Sequence, residues 1–222
     1  MTTKMLSVAD VRVTEDVLRQ LRWDPRFDES EVALAVDDGT VSLTGFVDTF
    51  AAKMAAEAAT KRVYGVRAVA NDIQVKLVDE RSDPDIAKDA VNALKIRLTV
   101  PDQVRVVARN GFLTLEGQVE WMYQRDAAES AVKHLRAVKG VTNLITLKLR
   151  PAASESVVKS KIEEVLRHMA EVDARRIHVD VHGSTVELSG SVRSWAEKNE
   201  AEHAAWAAPG VARVDSRIFI VP

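Results

Sequence analysis

Apolar and polar positions alternate along this chain in two periods, and the same succession of periods occurs three times. Val17, Leu18 and Leu21 are spaced by three or four or stand side by side, as are Val91 and Leu94, and then Ile162, Val165, Leu166 and Met169. That spacing marks one face of an amphipathic helix. Each such segment is followed by strict alternation, in Val32-Leu34-Val36, Val104-Val106 and Ile177-Val179-Val181. A period of two predicts a strand with one buried face. Next comes a dipeptide suited to a tight hairpin: Asp38-Gly39, Asn110-Gly111 and His182-Gly183. Second strands follow with Val41-Leu43, Leu113-Leu115 and Val186-Leu188. A helical stretch, alanine-rich in "TFAAKMAAEAATKRV", and a closing strand ("VANDIQVKL", "VTNLITLKL", "VDSRIFIV") complete each unit.

Two landmarks keep this succession in register. Gly45, Gly117 and Gly190 stand 72 and 73 residues apart, and Gly65, Ala137 and Gly210 each lie 20 residues further on. The pattern predicts an α+β protein of three tandem two-layer domains, each helix–strand–strand–helix–strand with a three-stranded sheet. Boundaries fall at residues 1–82, 83–153 and 154–222. With Val41 and Leu43 facing inward, Gly45 continues the inward parity of its strand, so a side chain there would point toward the helix layer. Glycine at such a place predicts a close backbone or a bulge, which makes the repeated glycine architectural rather than chemical. The outward positions of the first hairpin, Ala33, Ala35, Ser42 and Thr44, are small and uncharged, predicting that another domain or subunit covers that face.

The hairpin–glycine–valine phrase and the closing phrase "GVRAVAN" resemble the BON domain, and the resemblance covers nearly the whole chain as three copies. The second copy departs with Ala137 in place of the glycine, the third with Ser216 in place of the asparagine. The resemblance implies a non-enzymatic binding protein, associated with phospholipid at a membrane surface and with osmotic stress. Members of this family often act in the periplasm.

Composition narrows the alternatives. The 222 residues are 46% hydrophobic and 29% charged with a net charge of -2, which gives no footprint for nucleic acid. No cysteine is present, excluding disulfides and thiolate chemistry. Neither a phosphate-binding loop, a dinucleotide fingerprint nor a G-x-S-x-G elbow occurs, so neither an enzyme nor a cofactor is expected. No stretch approaches the ~18–20 apolar residues of a membrane span, and residues 1–17 lack the apolar run of a signal peptide. The expectation from these is a cytoplasmic protein. A soluble cytoplasmic module that binds a protein, an ion or a small molecule, or a homo-oligomer, is the alternative to the lipid reading.

Charge distribution locates a candidate surface. Residues 1–82 carry a net -3 and residues 154–222 a net -2, whereas residues 83–153 hold 11 basic and 8 acidic side chains, a net +3. In that middle repeat Trp121 and Tyr123 flank Met122, and the helix expected to follow carries Lys133, Arg136 and Lys139. Aromatic and basic residues together suit an anionic phospholipid headgroup surface. Phe50, Met122 and Trp195 share one position five residues after the landmark glycine, which assigns that column to the core. Metal candidates are His178, Asp180 and His182, which alternate along one strand face. The competing reading is the ordinary polar face of a strand. Asp37 and Asp38 with Gly39 offer oxygens to a cation, although acidic residues also simply favour turns.

Overall fold

The structure is a computed structural model that describes residues 7–24, 31–77, 81–148, 154–169 and 174–221. The first repeat consists of α1 (Val8–Arg22), β1 (Val32–Asp37), β2 (Thr40–Val47), α2 (Phe50–Lys61) and β3 (Ala68–Val75). The second has α3 (Asp83–Ile96), β4 (Arg105–Arg109), β5 (Phe112–Glu116), β6 (Gln118–Val119), α4 (Met122–Val132), β7 (Gly140–Asn143) and β8 (Thr146–Leu147). The third has α5 (Glu155–His168), β9 (Ile177–His182), β10 (Thr185–Val192), α6 (Trp195–Ala207) and β11 (Arg213–Ile220). The expected α+β order therefore holds in all three units. The junction expected at residue 153 lies outside the described residues.

Each sheet is mixed, with the second strand in the centre. β2 pairs antiparallel with β1 and parallel with β3, and β10 does the same with β9 and β11. In the second repeat the central strand is interrupted at Gly117, so β5 pairs with β4 and β7, and β6 with β8. Both helices of a repeat cover one face. The buried stripe of the first helix runs at spacings of four: Val13-Val17-Leu21, Ile86-Ala90-Leu94 and Val158-Ile162-Leu166. Val91 and Val165, expected on that face, are exposed instead. A stripe of every fourth residue drifts only slowly around a helix of 3.6 residues per turn, and these two positions lie beside it.

The landmark glycines are architectural, for a reason more specific than inward parity. Gly45, Gly117 and Gly190 adopt φ of 119°, 138° and 124°, a region that side chains rarely enter. A Cβ at these positions would stand 1.9 Å from the Glu31 carbonyl oxygen, 2.7 Å from that of Gln103 and 1.9 Å from that of Arg176. What excludes a side chain is thus the backbone leading into the neighbouring strand, not the helix layer. The second landmark takes the same left-handed form in all copies: Gly65, Ala137 and Gly210 have φ of 93°, 62° and 85°. Ala137 adopts it despite its Cβ, in the loop that follows α4.

The repeats are joined through their helix layers. Phe50, at the first turn of α2, is buried in the core of the second repeat, where Met54, Val75 and Leu77 also pack. Met122, its counterpart, lines a small cavity with Trp206, Ala208, Gly210 and Val211 of the third repeat. Trp195, the third counterpart, packs against the core of the first repeat. Of the column assigned to the core, Phe50 is buried in the next repeat's core, Trp195 is half-buried against both its own core and that of the first repeat, and Met122 is half-buried at the seam. Contacts thus run from repeat 1 to 2, from 2 to 3 and from 3 back to 1, so the three repeats close a ring. Within the chain no other repeat covers the sheet face of repeat 1: Ala33, Ala35 and Thr44 are exposed and Ser42 is half-buried, so of the two covers expected for that face only a subunit is left.

Candidate lipid-surface site

The path from β6 into α4 positions the aromatic pair. Trp121 is the residue before the helix, and the Gln124 side-chain oxygen accepts from the backbone N–H groups of Glu120 and Trp121 at 2.9 and 3.1 Å. That clamp fixes the turn. Trp121 and Met122 both line the small cavity at the seam with repeat 3, where Trp121 remains 40% exposed, while Tyr123 is 55% exposed and lines a different groove. Tyr123 opens onto a surface groove of about 480 Å³ running along α4, lined also by Arg97, Asp126, Glu129 and Lys133. Arg97 comes from the C-terminal end of α3, which lies beside the start of α4.

The basic candidates do not continue this surface as one helical face. α4 ends at Val132, where the Lys133 N–H donates to the Glu129 carbonyl at 3.0 Å, and Arg136 and Lys139 lie in the loop beyond. An 11-residue helix is about 16 Å long, so Lys133 stands a helix length from Tyr123 and the two meet only along the groove. Lys139 is committed elsewhere. Its carbon chain lies 3.3 Å from where a Gly111 Cβ would be, and its charge helps to hold Asp83 ionised. Sequence reasoning missed Arg97, which alternates with apolar residues and reads as the start of a strand.

A second recurrent feature was also missed. In every repeat an acidic residue in the first turn of the first helix accepts hydrogen bonds from the hairpin turn. Gly39 N–H donates to Asp10 at 3.0 Å; Asn110 and Gly111 donate to Asp83 at 2.7 and 2.9 Å; Gly183 donates to Glu155 at 2.6 Å. The Ser7 hydroxyl and then the Gly39 N–H lower the pKa of Asp10, and the Gly111 and Asn110 N–H groups lower that of Asp83. The third turn is Gly183-Ser184 rather than His182-Gly183, since His182 ends β9. Both residues of the first two turns have positive φ, whereas in the third pair only Gly183 does. Asp38, one of the two aspartates considered for a cation, instead accepts from Arg67 with both carboxylate oxygens at 3.0 Å.

His178, Asp180 and His182 all project from the exposed face of β9, as their alternation requires. Asp180 is paired with Lys159 at 3.1 Å. Among the described residues no group of three or more histidine and acidic side chains is arranged to hold a metal ion. Nor is any helix among them long and apolar enough to cross a membrane.

Three helix-and-sheet units with landmark glycines in register define a tandem-repeat α+β protein. The BON domain profile matches residues 9–76, 82–148 and 154–222, and the chain belongs to the BON domain family, for which no catalytic activity is known. Osmotically-inducible protein Y of Escherichia coli (strain K12) is 29% identical over 141 residues, spanning 60% of this chain and 70% of that protein. Two solved chains of CdsD, a structural protein of the type III secretion system of Chlamydia trachomatis, align over 98% and 95% of this chain and 100% and 93% of theirs. Their identities are 12% and 14% and their TM-scores 0.27 and 0.29, and at those scores the likeness bears on neither architecture nor function.

Proposed function

We propose that this chain is a non-catalytic, peripheral binding protein that engages anionic phospholipid surfaces through its middle repeat, in the setting of osmotic stress. The observation that carries the reading is the pairing of exposed Trp121 and Tyr123 with Arg97 and Lys133 in the one repeat with a net positive charge. Amphipathic rings and long basic side chains keep an apolar body and a polar tip, which matches a headgroup boundary. The name of the Escherichia coli relative supports the stress setting.

Co-sedimentation with vesicles of phosphatidylcholine and phosphatidylglycerol tests it. Binding should rise with the anionic fraction and fall with salt, since each basic residue near such a surface contributes ~1 kcal/mol. Lys133→Glu with Arg136→Glu should weaken binding by at least ~30-fold. Wild-type protein that ignores anionic vesicles at low salt would leave the soluble interaction module as the better reading.

A further inference from the structure

We infer that the segment Ile96–Leu98 at the C-terminal end of α3 is the element that enters an anionic bilayer, with Trp23 at the matching end of α1 as a second anchor; this rests on the lipid reading above. Leu98 is 98% exposed and Ile96 78%, the extreme for large apolar side chains in the described chain apart from Val8 and Trp23. The buried stripe of α3 ends at Leu94 and the core resumes at Val100, so the residues between them are thrust outward. They are held there rather than loose. Arg97 N–H donates to the Leu94 carbonyl at 3.1 Å, and Val100 N–H to the Arg97 carbonyl at 2.8 Å, closing two turns around the protrusion.

Charge alternates with the apolar tips. The sequence Lys95-Ile96-Arg97-Leu98 is exposed throughout, and Arg97 reaches the groove that Tyr123 lines. Apolar tips flanked by long cationic side chains match a surface with phosphates above and acyl chains below, and contact strength there scales with the apolar area buried plus the attraction of the charges. In repeat 1 the residue two places after the buried Leu21 is Trp23, 82% exposed, with Arg19 and Arg22 in the last turn of α1. Trp23 and Ile96 thus hold the same place, two residues beyond the last buried leucine, at the C-terminal ends of the equivalent helices α1 and α3. Two anchors on one chain that engage one surface together bind with the effective-concentration advantage of a tethered pair.

The absence of cysteine makes the test direct. Single variants Leu98→Cys, Trp23→Cys and His182→Cys of the full chain carry an environment-sensitive fluorophore and are mixed with vesicles of phosphatidylcholine with about one third phosphatidylglycerol. Emission at positions 98 and 23 should shift to the blue on binding, and emission at 182, on the hairpin end, should stay unchanged. Ile96→Ser with Leu98→Ser should bind about tenfold more weakly, with unchanged melting because these side chains are in water already. If wild type binds but the label at 182 shifts while those at 98 and 23 do not, this face is wrong and the lipid reading stands. If wild type does not bind, both fall. A shift at 98 or 23 that persists with pure phosphatidylcholine and is insensitive to salt would overturn the role given to the cationic residues.

Discussion

The Lys61 ammonium lies 4.6 Å above the ring centroid of Trp195, although 134 residues separate them in sequence. Lys61 also pairs with Glu57 at 2.6 Å, and Lys198 stands 5.3 Å from the same indole. This is the seam between the third repeat and the first. Unlike the other two seams, it has no adjoining linker to hold it.

Trp195→Ala should therefore open the ring, costing about 2 kcal/mol, below the full cost of a core tryptophan because the ring is only partly buried. Small-angle scattering should show a larger radius of gyration. The indole N–H is buried without a partner, so Trp195→Phe, which keeps the ring and removes the orphan donor, should change stability by less than about 1 kcal/mol. Equal losses for both variants would sink this account of the seam.

Replacing the landmark glycines should give an order set by distance. Gly45→Ala and Gly190→Ala force a methyl against a backbone carbonyl, and about 3 kcal/mol or more is expected for each. Gly117→Ala should be milder, since its nearest carbonyl is 2.7 Å away rather than 1.9 Å. Thermal melts of the three variants check the ranking.

The closing asparagine has a role that its substitution exposes. Asn71 donates to the Lys53 carbonyl and to Glu57 while accepting from Ile73 N–H, and Asn143 repeats the set with Arg125, Glu129 and Ile145. In the third repeat the Ser216 hydroxyl is buried without a partner. Asn143→Ser should cost about 1–2 kcal/mol, and Ser216→Asn should recover about 1 kcal/mol. Urea unfolding of both variants would show whether the signs are opposite.

Acid should loosen the hairpin clasps. Asp10 and Asp83 have pKa values below the ordinary 3.8 in the folded chain, held down by the hydrogen bonds they accept. A carboxylate depressed on folding contributes stability that is complete above its unfolded pKa and lost as pH falls through the folded one. Stability should therefore be level across neutral pH and decline below about pH 4, and Asp10→Asn with Asp83→Asn should flatten that decline. An unchanged acid limb in the double variant would remove these carboxylates from the account.

Much of this architecture is legible in the chain because short-range rules write it. The strand alternation, the Asp-Gly and Asn-Gly turns and the 72- and 73-residue spacing of the landmark glycines depend only on local backbone preference and on which face is wet. The ring is not legible, because Phe50, Met122 and Trp195 look alike as core residues whether they fill their own repeat or the next. The candidate surface was half visible. Trp121 and Tyr123 stand out by type, whereas Arg97 joins Tyr123 only because α3 packs on α4 and both line one groove. Lys139 illustrates the reverse error: a helical reading places it on a surface, but the left-handed Ala137 turns the chain so that it braces a hairpin instead.

The three seams are written in different residues: phenylalanine at the first, methionine against tryptophan at the second, tryptophan under lysine at the third. Tandem copies of one fold run the risk of pairing out of order while the chain is still collapsing. Here each copy carries its own key. The first repeat offers Phe50 to the core of the second, and the bulky indole of Trp195 meets Lys61 of the first as well as Lys198 of its own repeat. Divergence at one column thus gives three neighbours of one fold seams that are not interchangeable.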